Sequence, residues 1–352
     1  MENMTIAPDL SQAPRELEKP KRMLEISTMP DGRQLVAINF SSLSVINDCM
    51  RKAQYSLIDG YRSNIEADAL TFGKGIHKAL EHWYCLNPSV RQLTDHENEL
   101  ADTLIASPLT AATQPEETAL DSINEFVKTC QPLQWLGDSD KRSLNNGIKI
   151  LKSYFKHYAN DNLETLRDAS GKPYVEQNVE FEMHSDSEKV IRFHGAIDII
   201  LKDTISGQVF ISDHKTTASL GTAFYNRIKP NHQYTGYIMA ARECLGIETD
   251  SFLVNGIQVA KTKSEFARQA TTRNEEDFAE LKASMVEAVE RVLQAKKTGV
   301  FTMNTPGSCN NYGSCQYLEV CGAPAKLRDT ILRAKYAEAL NPMVAAAVVG
   351  AR

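Results

Sequence analysis

The chain has 352 residues, 42% hydrophobic and 24% charged, with a net charge of −6 at pH 7. That is ordinary globular composition, with length for one large domain or two small ones. No apolar run is long enough to span a bilayer and the opening MENMTIAPDLSQ is not a signal peptide, so a soluble cytoplasmic protein without membrane partners is expected. The acidic balance argues against tight non-specific binding of nucleic acid, which needs many lysines and arginines, but leaves room for a local basic groove. Seven cysteines in such a chain point to metal ligation or buried thiols rather than disulfides.

Residues 1–35 mix Pro, Glu, Lys and Ser with little periodicity and are expected to form a flexible N-terminal arm. Residues 41–58 read as a helix capped by Ser41 or Ser42, with Leu43, Ile46, Met50, Ala53 and Leu57 at helical spacing. Cys49 lies within it. A second helix is predicted over 66–86, with Phe72, Ile76, Leu80 and Trp83 as its apolar stripe. Gly73 and Gly75 each weaken a helix by about 1 kcal/mol, so another segment is expected to approach its backbone closely. Residues 87–170 are expected to be a helical insertion, with helices over 94–106, 115–129 and 141–158. Trp135, Tyr154, Phe155 and Tyr158 could stack on bases, but core packing is preferred.

Residues 173–183 alternate apolar and polar and read as a strand. It leads into a hairpin with strands over 190–201 and 209–215 and a turn over 202–208 rich in Asp, Ser and Gly. Each hairpin strand carries a carboxylate where an apolar residue is the norm: Asp198 and Asp213. Side chains alternate along a strand, so Asp213 and Lys215 share a side. Two acids can supply hard oxygen ligands to Mg²⁺ or Mn²⁺, and a lysine can orient water or offset charge on a phosphate. The plain alternative is a turn at Asp203 and Gly207 with a surface salt bridge between Asp213 and Lys215.

A helix is predicted over 230–245, with Pro230 near its start and Gln233 and Tyr237 on one face. A central strand follows over 251–261. An amphipathic helix spans 274–297, acidic at its start, basic at its end, with Gly299 beyond. Residues 309–321, CNNYGSCQYLEVC, place Cys309, Cys315 and Cys321 in one loop, and a fourth sulfur from Cys49 would complete an iron–sulfur or zinc site. Cys85, Cys130 and Cys244 are assigned structural roles. A terminal helix over 323–341 and an alanine-rich tail end the chain, so 326–352 are a C-terminal helix and tail.

The motifs GAID at 195–198, DHKT at 213–216 and Gln233-x-x-x-Tyr237, in this order, resemble the PD-(D/E)XK nuclease superfamily. The match is to its RecB-like branch, which includes the nuclease domains of RecB and AddB and CRISPR-associated RecB-like exonucleases. That branch has a histidine on an early helix, and FGKGIHKALE over 72–81 is similar, which implies a ligand role for His77 with Glu81 orienting its ring. The resemblance implies an α/β, restriction-endonuclease-like mixed central sheet flanked by helices, with a helical insertion over 87–170. The nuclease domain would run over 36–325, with the cysteine cluster of 309–321 closing onto Cys49.

The function so implied is metal-dependent hydrolysis of DNA phosphodiester bonds, as an exonuclease in recombination, repair or phage DNA processing. His77, Asp198, Asp213 and the His214 carbonyl would hold Mg²⁺ or Mn²⁺, Lys215 would position water, and Gln233 and Tyr237 would hold the strand. Glu176 and Glu180 also fall near the site in the family's layout, which implies that either could contribute to metal binding or to the electrostatics, although acids on exposed strands are commonplace. The cysteines resemble the iron–sulfur staple of AddB-type nucleases, which uses C-x2-C-x5-C. Here the first gap is longer, which leaves [4Fe–4S], zinc and no metal all open. No Walker A pattern is present, so unwinding would fall to a partner such as a helicase or a single-strand annealing or binding protein. The alternative is a cluster-stabilised, non-catalytic DNA-binding or adaptor protein.

Overall fold

The computed structural model describes residues 24–63, 67–106, 117–310 and 314–338. The first described segment is a hairpin of β1 (Leu24–Thr28) and β2 (Gln34–Ile38), turning through Gly32 at φ 89°. The expected N-terminal arm is therefore corrected for residues 24–35, which belong to the sheet; residues 1–23 lie outside the described residues. Helix α1 (Phe40–Asp48) is capped by Asn39, which accepts from the Ser42 amide, rather than by Ser41 or Ser42. Cys49 interrupts the helix with extended backbone, and α2 (Met50–Ala53) and a π-helical turn (Gln54–Ile58) follow.

After β3 (Tyr61–Ser63) come α3 (Asp68–Cys85), α4 (Asp95–Thr103), α5 (Ala119–Thr129) and α6 (Leu144–His157). Thr94 and Thr118 form capping boxes with Glu97 and Asp121, and Ser143 caps α6, which fixes where three of these helices start. The insertion is not wholly helical, because β4 (Leu163–Thr165) adds to the sheet. Then follow β5 (Val175–Ser185), β6 (Lys189–Asp203), β7 (Val209–Thr217), the short α7 (Thr222–Tyr225) and α8 (His232–Leu245). Next are β8 (Ser251–Gln258), β9 (Phe266–Thr272) and α9 (Glu275–Thr298). α10 (Leu318–Gly322), α11 (Ala325–Lys335) and β10 (Tyr336–Glu338) end the described chain. The alanine-rich tail lies outside the described residues.

The main sheet has eight strands in the order β1-β2-β6-β7-β8-β9, with β4 and β5 also pairing with β6. It is mixed: β2–β6 and β7–β8 are parallel and the other pairs antiparallel. One core packs α1, α8 and α9 on one face, and a second packs α3, α5 and α6 on the other. β8 is buried along nearly its whole length, with Phe252 and Val254 in the first core and Leu253 and Ile257 in the second. Among the described residues no helix is long and apolar enough to cross a membrane.

Candidate active site

β6 is the axis of the site. β5 lines one side of it over residues 190–199. On the other side, β2 pairs only up to Ile38↔Phe193 and β7 only from Ile199↔Ser212. Residues 194–198 of β6 thus face a gap between two strand ends, and Asp198 stands at its margin. Beyond Ser212, β7 leaves β6 and runs parallel to β8. The His214 amide, freed from β6, donates to Asp198 Oδ2 at 3.0 Å. A strand pairing that ends here leaves backbone and carboxylate to satisfy each other.

Helix α3 supplies the third wall. His77 Nδ1 lies 3.2 Å from Asp198 Oδ2, and the two rings of His77 and His214 meet edge to face at 5.8 Å. α3 can lie this close because its glycines face neighbours. A Cβ on Gly73 would sit 3.3 Å from Thr216 Oγ1, and one on Gly75 would reach the Phe126 ring at 2.9 Å. The close approach expected at both glycines is present. Glu81 does not orient His77 as expected; its carboxylate is 2.6 Å from Lys78 Nζ, one turn away from that role.

Lys215 Nζ is 2.5 Å from Asp213 Oδ2, on the shared side that strand alternation predicts. The contact is not aligned as a hydrogen bond, so Oδ2 of Asp213, a residue 2% exposed, is a buried oxygen without a hydrogen-bond donor. Burial pushes the Asp213 carboxyl up to about 6, Lys215 opposes this, and the charge on Asp198 adds to it. Burial also works against a charge on Asp198, but the hydrogen bond and charge of His77 and the His214 amide hold it well below the carboxylate range. Burial disfavours protonated His77, yet Asp198 and Asp213 outweigh it and raise the imidazole. Lys215 stays charged: burial works against its ammonium, but the charge of Asp213 outweighs it and raises the ammonium further.

The His214 side chain turns away from the gap. Its ring stacks on Tyr84 at 5.4 Å, and its Nδ1 is 2.8 Å from Asn255 Nδ2. Burial depresses it to about 3, so it is neutral, and only its backbone faces Asp198. Gln233 and Tyr237 share one face of α8 as the spacing predicts, with Gln233 Nε2 donating to Tyr237 Oη at 3.4 Å. Burial pushes the Tyr237 phenol up to about 12, so it remains a hydrogen-bond donor. Tyr237 also closes on β6, since a Cβ at Gly195 would lie 3.2 Å from its ring.

Sequence reading passed over Tyr234. It lies one residue after Gln233, is buried against Phe252, and feels the charges of Asp213, Lys215 and Asp198. Nothing in its spacing separates it from a core tyrosine. Of the insertion aromatics, Tyr154 and Phe155 are buried as expected, whereas Trp135 is 70% exposed.

Cys49 and the C-terminal segment also meet. Arg51 N donates to the Thr302 carbonyl at 2.9 Å, Ser308 Oγ to the Asp48 carbonyl at 2.6 Å, and Cys49 Sγ lies 4.0 Å from the Thr302 carbonyl. Burial raises the Cys321 thiol, and Cys315 and Cys49 are near enough to add to it. The amide of Cys315 donates to the Cys309 carbonyl at 2.8 Å. Among the described residues, no three side chains of ligand type converge closely enough to enclose a metal ion, here or around the carboxylates.

No curated protein matches the chain. Among solved structures, an exonuclease candidate from Eubacterium rectale is 12% identical, with a TM-score of 0.44, over 81% of this chain and 88% of that one. The crystal structure of SSO0001 is 11% identical, with a TM-score of 0.26, over 66% of this chain and 88% of that one. Neither likeness is strong enough to argue from. The family model of the PD-(D/E)XK nuclease superfamily, by contrast, matches residues 37–322. That span runs from the end of β2 to the last cysteine and takes in α3, the gap along β6 and the Asp213–Lys215 pair, so the chain belongs to the PD-(D/E)XK nuclease superfamily.

Proposed function

We propose that the protein is a metal-dependent DNA nuclease, acting as an exonuclease on DNA ends or single strands. The observation that carries this is Asp213: a buried carboxylate oxygen with no hydrogen-bond donor, beside Lys215, across the gap from Asp198 and His77. Two carboxylates, an imidazole and a carbonyl suit a small divalent cation such as Mg²⁺ or Mn²⁺. His77, Asp198, Asp213 and the His214 carbonyl would hold it, exchanging the present His77–Asp198 and Lys215–Asp213 contacts for the ion. A cation bound there activates water and offsets charge on the phosphate.

The chain's own groups do the rest. Lys215, still an ammonium, directs the attacking water or meets negative charge gathering on phosphate oxygens. Tyr237, still a phenol, and Gln233 donate hydrogen bonds to the strand and hold it across the gap. The net charge of −6 fits local capture of a strand rather than broad non-specific binding. Any unwinding would come from a helicase or a single-strand annealing or binding partner, in recombination, repair or phage DNA processing. Cys49, Cys309, Cys315 and Cys321 would hold a [4Fe–4S] cluster, with zinc as the alternative, as a staple and not as part of hydrolysis.

The test is cleavage of end-labelled linear and circular DNA, single- and double-stranded, with Mg²⁺ or Mn²⁺, by anaerobically purified wild type and Asp213→Ala. Metal-dependent cleavage of linear DNA that falls at least about a thousandfold in the variant is expected. Cleavage of circles would make the enzyme an endonuclease. No cleavage by intact wild type would favour the non-catalytic adaptor instead.

A further inference from the structure

A cavity of about 410 Å³ opens at the C-terminal end of α3, where the turn after that helix meets β4 and the end of β6. Its size is within the range of small-ligand pockets, about 300–1,000 Å³. Three cations line it, Arg91, Arg167 and Lys202, against one carboxylate, Glu164. Glu164 and Lys202 stand opposite each other on β4 and β6. Among the described residues, however, no ion pair joins them or involves either arginine. None of His77, Asp198, Asp213 or Lys215 lines this cavity, so it is separate from the gap along β6.

Arg91 is the buried member, 6% exposed, and its part in the fold is plain. Its Nε donates to the Leu86 carbonyl at 3.2 Å, and its Nη2 to the Tyr84 carbonyl at 3.1 Å and to Thr165 Oγ1 at 3.0 Å. Arg167 Nη2 donates to the Cys85 carbonyl at 2.8 Å. The two arginines thus satisfy carbonyls at the end of α3, which a helix leaves open. That work leaves out Arg91 Nη1, which has no acceptor among the described residues and is not sealed from solvent. Arg273, 3% exposed, is the contrast, since its Nε, Nη1 and Nη2 all donate. Capping does not call for Lys202 either, whose ammonium makes no hydrogen bond among the described residues.

Burial lowers the Arg91 guanidinium, Tyr84 and Glu164 offset part of this, and Arg167 adds to it. Cations drawn together out of water without paired anions are unfavourable, and an anion bound among them removes the imbalance. Two guanidinium forks and an ammonium match the oxygens of a phosphate. The cavity also shares two elements with the catalytic gap. Along α3, Tyr84 lies about 10 Å from His77, and along β6, Lys202 lies about 13 Å from Asp198. A backbone phosphate a few nucleotides from the one being cut falls within that reach.

We propose that this cavity is a phosphate-binding site, and that it holds a backbone phosphate of the DNA at a distance from the bond being cut. This rests on the nuclease reading above and deepens it: the strand is gripped at a second point, by Arg91, Arg167 and Lys202. The same chemistry suits free phosphate, and the experiment separates the two sources.

Lys202 is the residue to change, because nothing in the fold leans on its ammonium. Binding of a fluorescent single-stranded oligonucleotide to the full-length protein is measured by anisotropy in EDTA, across a salt series, for wild type, Lys202→Gln and Lys202→Arg. Lys202→Gln is expected to weaken binding roughly threefold and to flatten the slope of log K against log salt by about 0.7, the share of one phosphate contact. Lys202→Arg should restore both, and all three proteins should melt alike. Melting is then compared in inorganic phosphate and in chloride at matched ionic strength. Stabilisation by phosphate that Lys202→Gln lacks, with oligonucleotide binding alike in all three proteins, would overturn the DNA source and assign the pocket to free phosphate. Wild-type affinity, salt slope and phosphate response in Lys202→Gln would overturn the pocket, and cleavage of the oligonucleotide with Mn²⁺ would then leave the nuclease standing. A wild type that binds through Lys202 but does not cleave would overturn the nuclease reading and leave the phosphate site.

Discussion

Burial acts on the two aspartates in the same direction, and their neighbours decide the outcome. Asp198 receives the His214 amide and the His77 ring and is held low, whereas burial and the charge of Asp198 outweigh Lys215 and His77 at Asp213 and push it up to about 6. The sign for stability follows. The folded pKa of Asp213 lies above its ordinary 3.8, so ionising it works against the folded state as pH rises through that window. Asp213→Asn should therefore gain stability relative to wild type between pH 4 and pH 7, by about 3 kcal/mol at most, in metal-free protein. Urea unfolding at both pH values in EDTA checks this; a difference that stays constant with pH would show that Asp213 is not strained by its burial. Added Mn²⁺ should stabilise wild type only. These two residues were legible because an acid in an apolar strand is conspicuous and because Asp213 and Lys215 alternate with buried neighbours. Tyr234 was not, since a core tyrosine leaves no mark in composition.

Helices were read closely because their ends carry chemical signals. α9 begins at Asn274 with three acids in its first turn and ends in Lys296, Lys297 and Gly299, and the predicted 274–297 differs from it by a residue at each end. Strands without those signals were missed. β1 and β2 are five residues each, and β9 is an edge strand with no fully buried residue, so none of them shows a long apolar alternation. Cys49 was placed inside one helix because extended backbone at a single residue does not disturb the apolar spacing around it. The packing of α3 on α5 gives a prediction at this scale. Alanine favours a helix over glycine by about 1 kcal/mol, but at Gly75 its methyl would overlap Cys130 and Phe126, both fully buried. Overpacking of this kind costs about 1–3 kcal/mol, so Gly75→Ala should melt lower and, by shifting α3, weaken Mn²⁺ binding through His77. An unchanged melting temperature would mean that α5 yields freely and does not set the position of His77.

At the scale of the whole chain, the segment after α9 returns to the start of the fold. Asn304 Nδ2 and Ser308 Oγ both donate to the Asp48 carbonyl, Arg51 Nε donates to the Phe301 carbonyl, Tyr317 Oη donates to the Tyr61 carbonyl, and β10 pairs with β3. The core beneath is small: Tyr55, Tyr317, Val320 and Leu332, with Cys315 and Cys321 packed against it. Four buried side chains contribute little beside the main cores, so the hydrogen bonds and the β10–β3 pair carry much of this contact. A cluster bridging Cys49 to the C-terminal cysteines would add a tie, because linking residues so far apart in sequence restricts the unfolded chain by about 5 kcal/mol in the loop-entropy picture. Anaerobic reconstitution with iron and sulfide should turn the protein brown, load about four irons per chain and raise the melting temperature. Cys49→Ser and Cys315→Ser should each lose the colour and the added stability. If Cys49→Ser keeps both, the early cysteine is not a ligand and the two ends of the domain are held by their hydrogen bonds alone. Uptake of zinc in place of iron, with the same rise in melting temperature, would keep the tie and change the metal.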